Sequence, residues 1–122
     1  MQRGETHLNL NRASQLIGRP VRNPAGEDLG TLEDLMLDGE RGCVAYAVLS
    51  FGGFLGMGTK LLAVPWEALS LRPDGEALLL AVDKGLLAHA PGFDQDNWPG
   101  NAHSKWCHEV HRHYGFKPYW ET

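Results

Sequence analysis

Residues 43 to 51 read "CVAYAVLSF", and the fold turns on how that stretch is read. Nine residues of aliphatic, aromatic and β-branched character, with no Gly or Pro among them, form a strand. Alternation divides the apolar ones into Val44, Tyr46 and Val48 on one face and Cys43, Ala45, Ala47, Leu49 and Phe51 on the other. Both sets are apolar, whereas a half-exposed strand carries polar residues on its outer face. Something is therefore expected to cover this strand from outside as well as from within.

Upstream, "RPVRNPAGEDLGTLEDLMLD" (19–38) is two extended runs around Asn23-Pro24-Ala25-Gly26. Pro fixes φ there and Gly supplies φ > 0, so the segment predicts a hairpin. Before it, "NRASQLIG" (11–18) predicts a single helical turn capped by Asn11 or Ser14, with Leu16 and Ile17 facing inward and Gly18 ending it. Downstream, "KLLAVPWEAL" (60–69) is strand-like until Pro65, which cannot continue a central strand, and "EALLLAV" (76–82) comes after the turn Arg72-Pro73-Asp74-Gly75. About six short strands with turn signals between them, and no βαβ alternation, predict a mainly β chain folded as a small antiparallel barrel or roll.

The loop "GGFLGMGTK" (52–60) has the glycine spacing of a phosphate-binding loop, but ends Thr59-Lys60, the reverse of the order that loop requires. A phosphate loop also delivers its glycines to a helix amino terminus, and the residues after Lys60 read as a strand broken by Pro65. The segment is read as a hairpin connection tolerant of φ > 0.

Residues 16 to 69 resemble a PRC-barrel domain, the module shared by the cytoplasmic part of the photosynthetic reaction centre H subunit and a bacterial ribosome maturation factor. The resemblance is carried by the Leu-Ile-Gly entry with Val21, the Gly-x-x-Leu-Gly turn at Gly26 to Gly30, Asp34 and Asp38 in the second strand, the Gly-rich loop, and "VPWEAL" at 64–69. "APGFDQDNWP" (90–99) and "HYGFKPYW" (113–120) resemble a carboxy-terminal extension of stand-alone bacterial members. The resemblance implies a small β-barrel serving as an assembly or adaptor module, and it brings no catalytic residues. The expected organisation is a loose leader at 1–10, the barrel domain at 11–82, and a helical and aromatic extension at 83–122 packing on the barrel or on a dimer partner.

Within that extension, "NAHSKWCHEVHRHYG" (101–115) has helical spacing, and Trp106, Val110 and Tyr114 recur at i, i+4 and i+8 on one face. His103, Cys107 and His111 share the same spacing, so one helical stripe presents three residues able to ligate zinc. Structural zinc sites usually draw ligands from two chain segments, and a single stripe lacks a fourth ligand, so no metal and no cofactor is expected. The stripe is read as a solvated or interface face, with a metal- or ligand-binding sensor using helix 103–113 as the alternative function. Cys107 beside His108 and His111 lacks the orienting group and oxyanion site of a nucleophilic dyad, and no enzyme is expected.

Trp98, Trp106, Tyr114, Phe116, Tyr119 and Trp120 crowd the last 25 residues, and aromatics need a surface to pack on. Together with the outward strand residues they supply the expected interface set: Tyr46, Val48, Phe51, Trp66, Trp106, Tyr114, Tyr119 and Trp120. The function expected is a non-enzymatic adaptor, a homodimer that also binds an unidentified protein partner.

Composition narrows the remaining classes. The 122 residues carry 11 Lys+Arg and 15 Asp+Glu, a net charge of -4, which is not a surface built to neutralise nucleic-acid phosphates. No apolar run has signal-peptide or membrane-span length, so no membrane insertion and a cytoplasmic location are expected. In such a compartment Cys43, within the apolar strand pattern, and Cys107 are read as free thiols.

Overall fold

The computed structural model describes residues 6, 8–52, 59–71, 76–90, 92–93, 98 and 104–121. One helical turn, α1 (Ala13–Leu16), leads into β1 (Pro20–Arg22), β2 (Asp28–Asp38), β3 (Cys43–Gly52) and β4 (Thr59–Pro65), which run as an antiparallel meander. Pro65 has no N–H to extend the ladder, and the chain leaves β4 through a 3-10 turn, Trp66–Ala68. Then come β5 (Leu69–Ser70), β6 (Leu78–Leu80), α2 (Lys84–Ala88), β7 (Gly92–Phe93) and α3 (Ser104–His113).

The strands form one sheet in the order β5-β6-β1-β2-β3-β4-β7. The expectation of a mainly β chain with a short helical extension holds. Two details differ from a uniformly antiparallel barrel. Strand β6 lies parallel to β1, pairing Leu78 with Val21, because the chain crosses from β4 to the far side of the meander. The ladder also ends at β5 and β7, each two residues long, and it is not closed between them among the described residues.

The central pair is saturated with apolar contact. Ala45 to Leu49 of β3 and Leu61 to Val64 of β4 are all buried, so both faces of "CVAYAVLSF" are covered along its middle. Cys43, at the strand's start, is exposed instead, and both cysteines are free thiols. At the chain entry Leu16 is buried, but Ile17 is 40% exposed and does not face inward. The cap position of the helical turn is Arg12, whose N–H donates to Gln15 Oε1 at 3.1 Å, so neither Asn11 nor Ser14 is its cap.

The expected hairpin turn holds at Asn23 to Gly26, closed by the Gly26 N–H donating to the Asn23 carbonyl at 2.9 Å, with Gly26 at φ +86°. The Asn23 side chain is the buried polar centre of that turn. Its Oδ1 accepts the Glu27 N–H at 2.9 Å, while its Nδ2 donates to Glu27 Oε1 at 2.7 Å and to the Val82 carbonyl at 3.1 Å. That last bond ties the β1–β2 hairpin to the segment after β6. Asn23→Ala leaves these partners unpaired and is expected to cost about 2 kcal/mol, readable as a lower urea midpoint with unchanged slope.

Gly30 is not a turn residue, as the Gly-x-x-Leu-Gly pattern suggests, but lies inside β2 opposite Val21. Its φ is +126°, and a Cβ placed on it would stand 2.3 Å from the Ser50 carbonyl oxygen of β3. Its neighbours Leu29 and Leu32 are fully buried. Here the backbones of β2 and β3 approach too closely for any side chain.

No helix among the described residues is long and apolar enough to cross a membrane.

Candidate functional site

The glycine loop at 53–58 lies outside the described residues. The residues after it are placed: Thr59 and Lys60 open β4, not a helix, so no helix amino terminus stands behind the loop to receive a phosphate. The chemistry-bearing side chains gather elsewhere, where α3 and the carboxy-terminal segment close over β3, β4 and the 3-10 turn.

Helix α3 presents its periodic face to the sheet. Val110 and Tyr114 are buried and Trp106 is half-buried. The Trp106 ring meets Tyr46 of β3 edge-on at 5.5 Å and Phe93 of β7 at 6.0 Å, and Phe93 in turn meets Trp98 at 5.0 Å. Tilted and edge-on pairs at such spacings are the favoured aromatic arrangement. This is the outside cover that the doubly apolar strand requires, and it comes from the same chain. Of the expected interface residues, Tyr46, Val48 and Tyr114 are buried, and Phe51, Trp66, Trp106, Tyr119 and Trp120 are half-buried.

His111 is the polar centre of this region. It is fully buried rather than lying on a solvated stripe. Spacing could have given this away: His111 sits beside Val110 and one turn beyond Cys107, on the flank of the apolar face. Its Nδ1 lies 2.8 Å from the Cys107 carbonyl, and because a carbonyl can only accept, Nδ1 carries the proton. Its Nε2 faces Glu67 Oε2 of the 3-10 turn at 3.7 Å, too far for a hydrogen bond, and has no other hydrogen-bond partner. The rings of Tyr119 and Trp120 lie over the imidazole, each centred 5.7 Å away.

The segment bearing those rings is anchored at its other side. Tyr119 Oη donates to Asp38 Oδ2 at 2.6 Å, linking the tail to the end of β2. Asp38 also accepts the Glu40 and Arg41 N–H groups at 3.1 Å and the Arg41 guanidinium at 3.3 Å. The Tyr119 bond, with these further donors, holds the Asp38 carboxyl below its ordinary value. Burial pushes the Tyr119 phenol up, and the bond to Asp38 adds to that. On the far side of α3, His113 Nε2 lies 2.8 Å from the Leu86 carbonyl and ties α3 to α2. The buried Tyr114 hydroxyl has no hydrogen-bond partner.

Of the three stripe residues, His103 lies outside the described residues. Cys107 and His111 do fall on successive turns, but the Cys107 thiol is pushed up by burial and then by the Asp38 charge, which keeps it in the weakly nucleophilic, weakly ligating thiol form. Among the described residues no group of three ligating side chains comes together. The residues that sequence reasoning did not single out here are Glu67 and Asp38 as partners of the helix and tail. Both act across long separations, with Asp38 and Tyr119 81 residues apart, so no local pattern reports them.

A family model described as PRC-barrel domain matches residues 9–87, which is 79 of the 122 residues. Among solved structures, one from Pseudomonas aeruginosa assigned as the 16S ribosomal RNA processing protein RimM is similar at 19% identity and a TM-score of 0.44. The match covers 70% of this chain and 50% of that one, so this chain spans about half the length of that relative. No curated protein matches the chain.

Proposed function

This chain belongs to the PRC-barrel domain family, and from that premise we propose that it is a protein-interaction adaptor without chemistry of its own, pairing first with a second copy of itself and, as a pair, with a further protein. The observation that carries this reading is where its apolar side chains lie. The strands are covered by the chain's own helix and tail, yet Leu8, Leu10 and Leu37 remain 62%, 83% and 69% exposed, and Ile17 and Phe116 are exposed as well. Burying a leucine side chain contributes roughly 1.5–3 kcal/mol, so a partner that covers several of them gains an appreciable driving force. A closed two-fold pair can bury each such side chain twice and is the commonest symmetric arrangement.

Light scattering coupled to size exclusion at micromolar concentration is expected to give twice the chain mass of 13.5 kDa. Leu10→Asp together with Leu37→Asp is expected to return the mass to that of one chain without loss of folded signal. A monodisperse single chain for the unaltered protein sinks the pairing. The competing sensor reading makes a different prediction: zinc alone would raise the melting temperature, and Cys107→Ser would abolish the rise.

A further inference from the structure

The His111 imidazole cannot satisfy both nitrogens in its neutral form. Nδ1 must keep its proton to donate to the Cys107 carbonyl, which leaves a lone pair on Nε2. That lone pair is buried, has no donor, and faces the Glu67 carboxylate, another acceptor, at 3.7 Å. A second proton reverses the contact with Glu67 and leaves the Nδ1–H bond to the Cys107 carbonyl in place. Nε2 becomes a donor aimed at Glu67, whose side chain is 40% exposed and free to swing the short distance to bonding range. The cationic ring then also lies beside the Tyr119 ring, tilted at 45°, and the Trp120 ring, crossed at 73°, with both centroids 5.7 Å away.

We propose that a proton taken up at His111 Nε2 latches the carboxy-terminal segment around Tyr119 and Trp120 onto α3, making the docking of that segment responsive to pH. The titratable groups around the imidazole are Glu67 from the 3-10 turn, Tyr119 from the tail with Asp38 behind it, and Cys107 from its own helix. Of these, Glu67 and Asp38 bring negative charge, and burial keeps the Tyr119 phenol and Cys107 thiol neutral. Desolvation of a buried cation opposes this uptake, while the Glu67 carboxylate and the relief of the unpartnered Nε2 lone pair favour it. The latch is therefore strongest where Nε2 carries the second proton and weakens as that proton is lost. It stands whether or not the chain acts as an adaptor.

The test tracks the His111 ring and the Trp120 indole of the full chain by NMR from about pH 5 to about pH 8, the interval in which histidine charge changes. Trp120→Phe identifies the indole signal. The Trp120 resonance is expected to move in step with His111. In Glu67→Gln, which alters a half-exposed side chain and leaves the core intact, both transitions are expected at a pH lower by about half a unit or more, roughly threefold weaker proton uptake. A Trp120 signal that stays flat across the interval, or one that titrates identically in Glu67→Gln, overturns the latch.

Discussion

Gly30→Ala is expected to cost at least about 4 kcal/mol, at the severe end for a single substitution and a large part of the roughly 5–15 kcal/mol that holds a domain together. The reason is a clash that cannot relax by rotating a side chain. The added Cβ meets the Ser50 carbonyl oxygen at 2.3 Å, and that oxygen belongs to the backbone of β3 in the middle of the sheet. The φ of +126° adds a conformation that residues with a side chain rarely adopt. At roughly 4 °C per kcal/mol, the melting temperature should fall by about 15 °C or more, or the variant should fail to accumulate as folded protein. Gly26→Ala is the matched control. Its φ is +86°, but nothing lies within 4 Å of the new methyl, so only the backbone term of about 1–2 kcal/mol applies. Equal losses in the two variants would falsify the close-approach account.

The second large effect is optical. The chain has three tyrosines, Tyr46, Tyr114 and Tyr119, and burial pushes all three phenols well above the ordinary tyrosine value near 10. Each group is thus neutral in the folded chain at a pH where the unfolded chain has lost the proton. The linkage has a definite sign: the stability these groups contribute is complete below the unfolded value and disappears as pH climbs toward the folded ones. Absorbance at the phenolate band should accordingly stay low through about pH 11, then rise for all three tyrosines together with the loss of the circular dichroism signal. A gradual phenolate transition centred near pH 10 in a chain that remains folded would contradict the burial of these side chains.

What the sequence discloses and what it hides divide along chain distance. The doubly apolar pattern of 43–51 discloses a covered strand, Asn23 to Gly26 discloses a turn, and the Trp106, Val110 and Tyr114 spacing discloses the inward face of α3, because each pattern spans few residues. The fate of Gly30 is hidden, since its spacing fits a turn and only the position of Ser50, 20 residues on, makes it a contact between strands. His111 misleads for a related reason. Histidines on a polar helix are usually solvated, and this one is buried by Tyr119 and Trp120, which the chain reaches only after turning back at Gly115. The parallel pairing of β6 with β1 joins segments about 57 residues apart and leaves no periodic trace.

The two-residue lengths of β5 and β7 bear on whether a further strand can add at the ends of the sheet. A sheet border is a template for strand addition in proportion to the row of unpaired amides and carbonyls it offers, and long flat borders invite stacking into fibrils. Borders as short as Leu69–Ser70 and Gly92–Phe93 offer a guest peptide almost no ladder to extend. At these two ends recognition is left to side chains, which discriminate by shape and charge where backbone pairing accepts almost any extended segment.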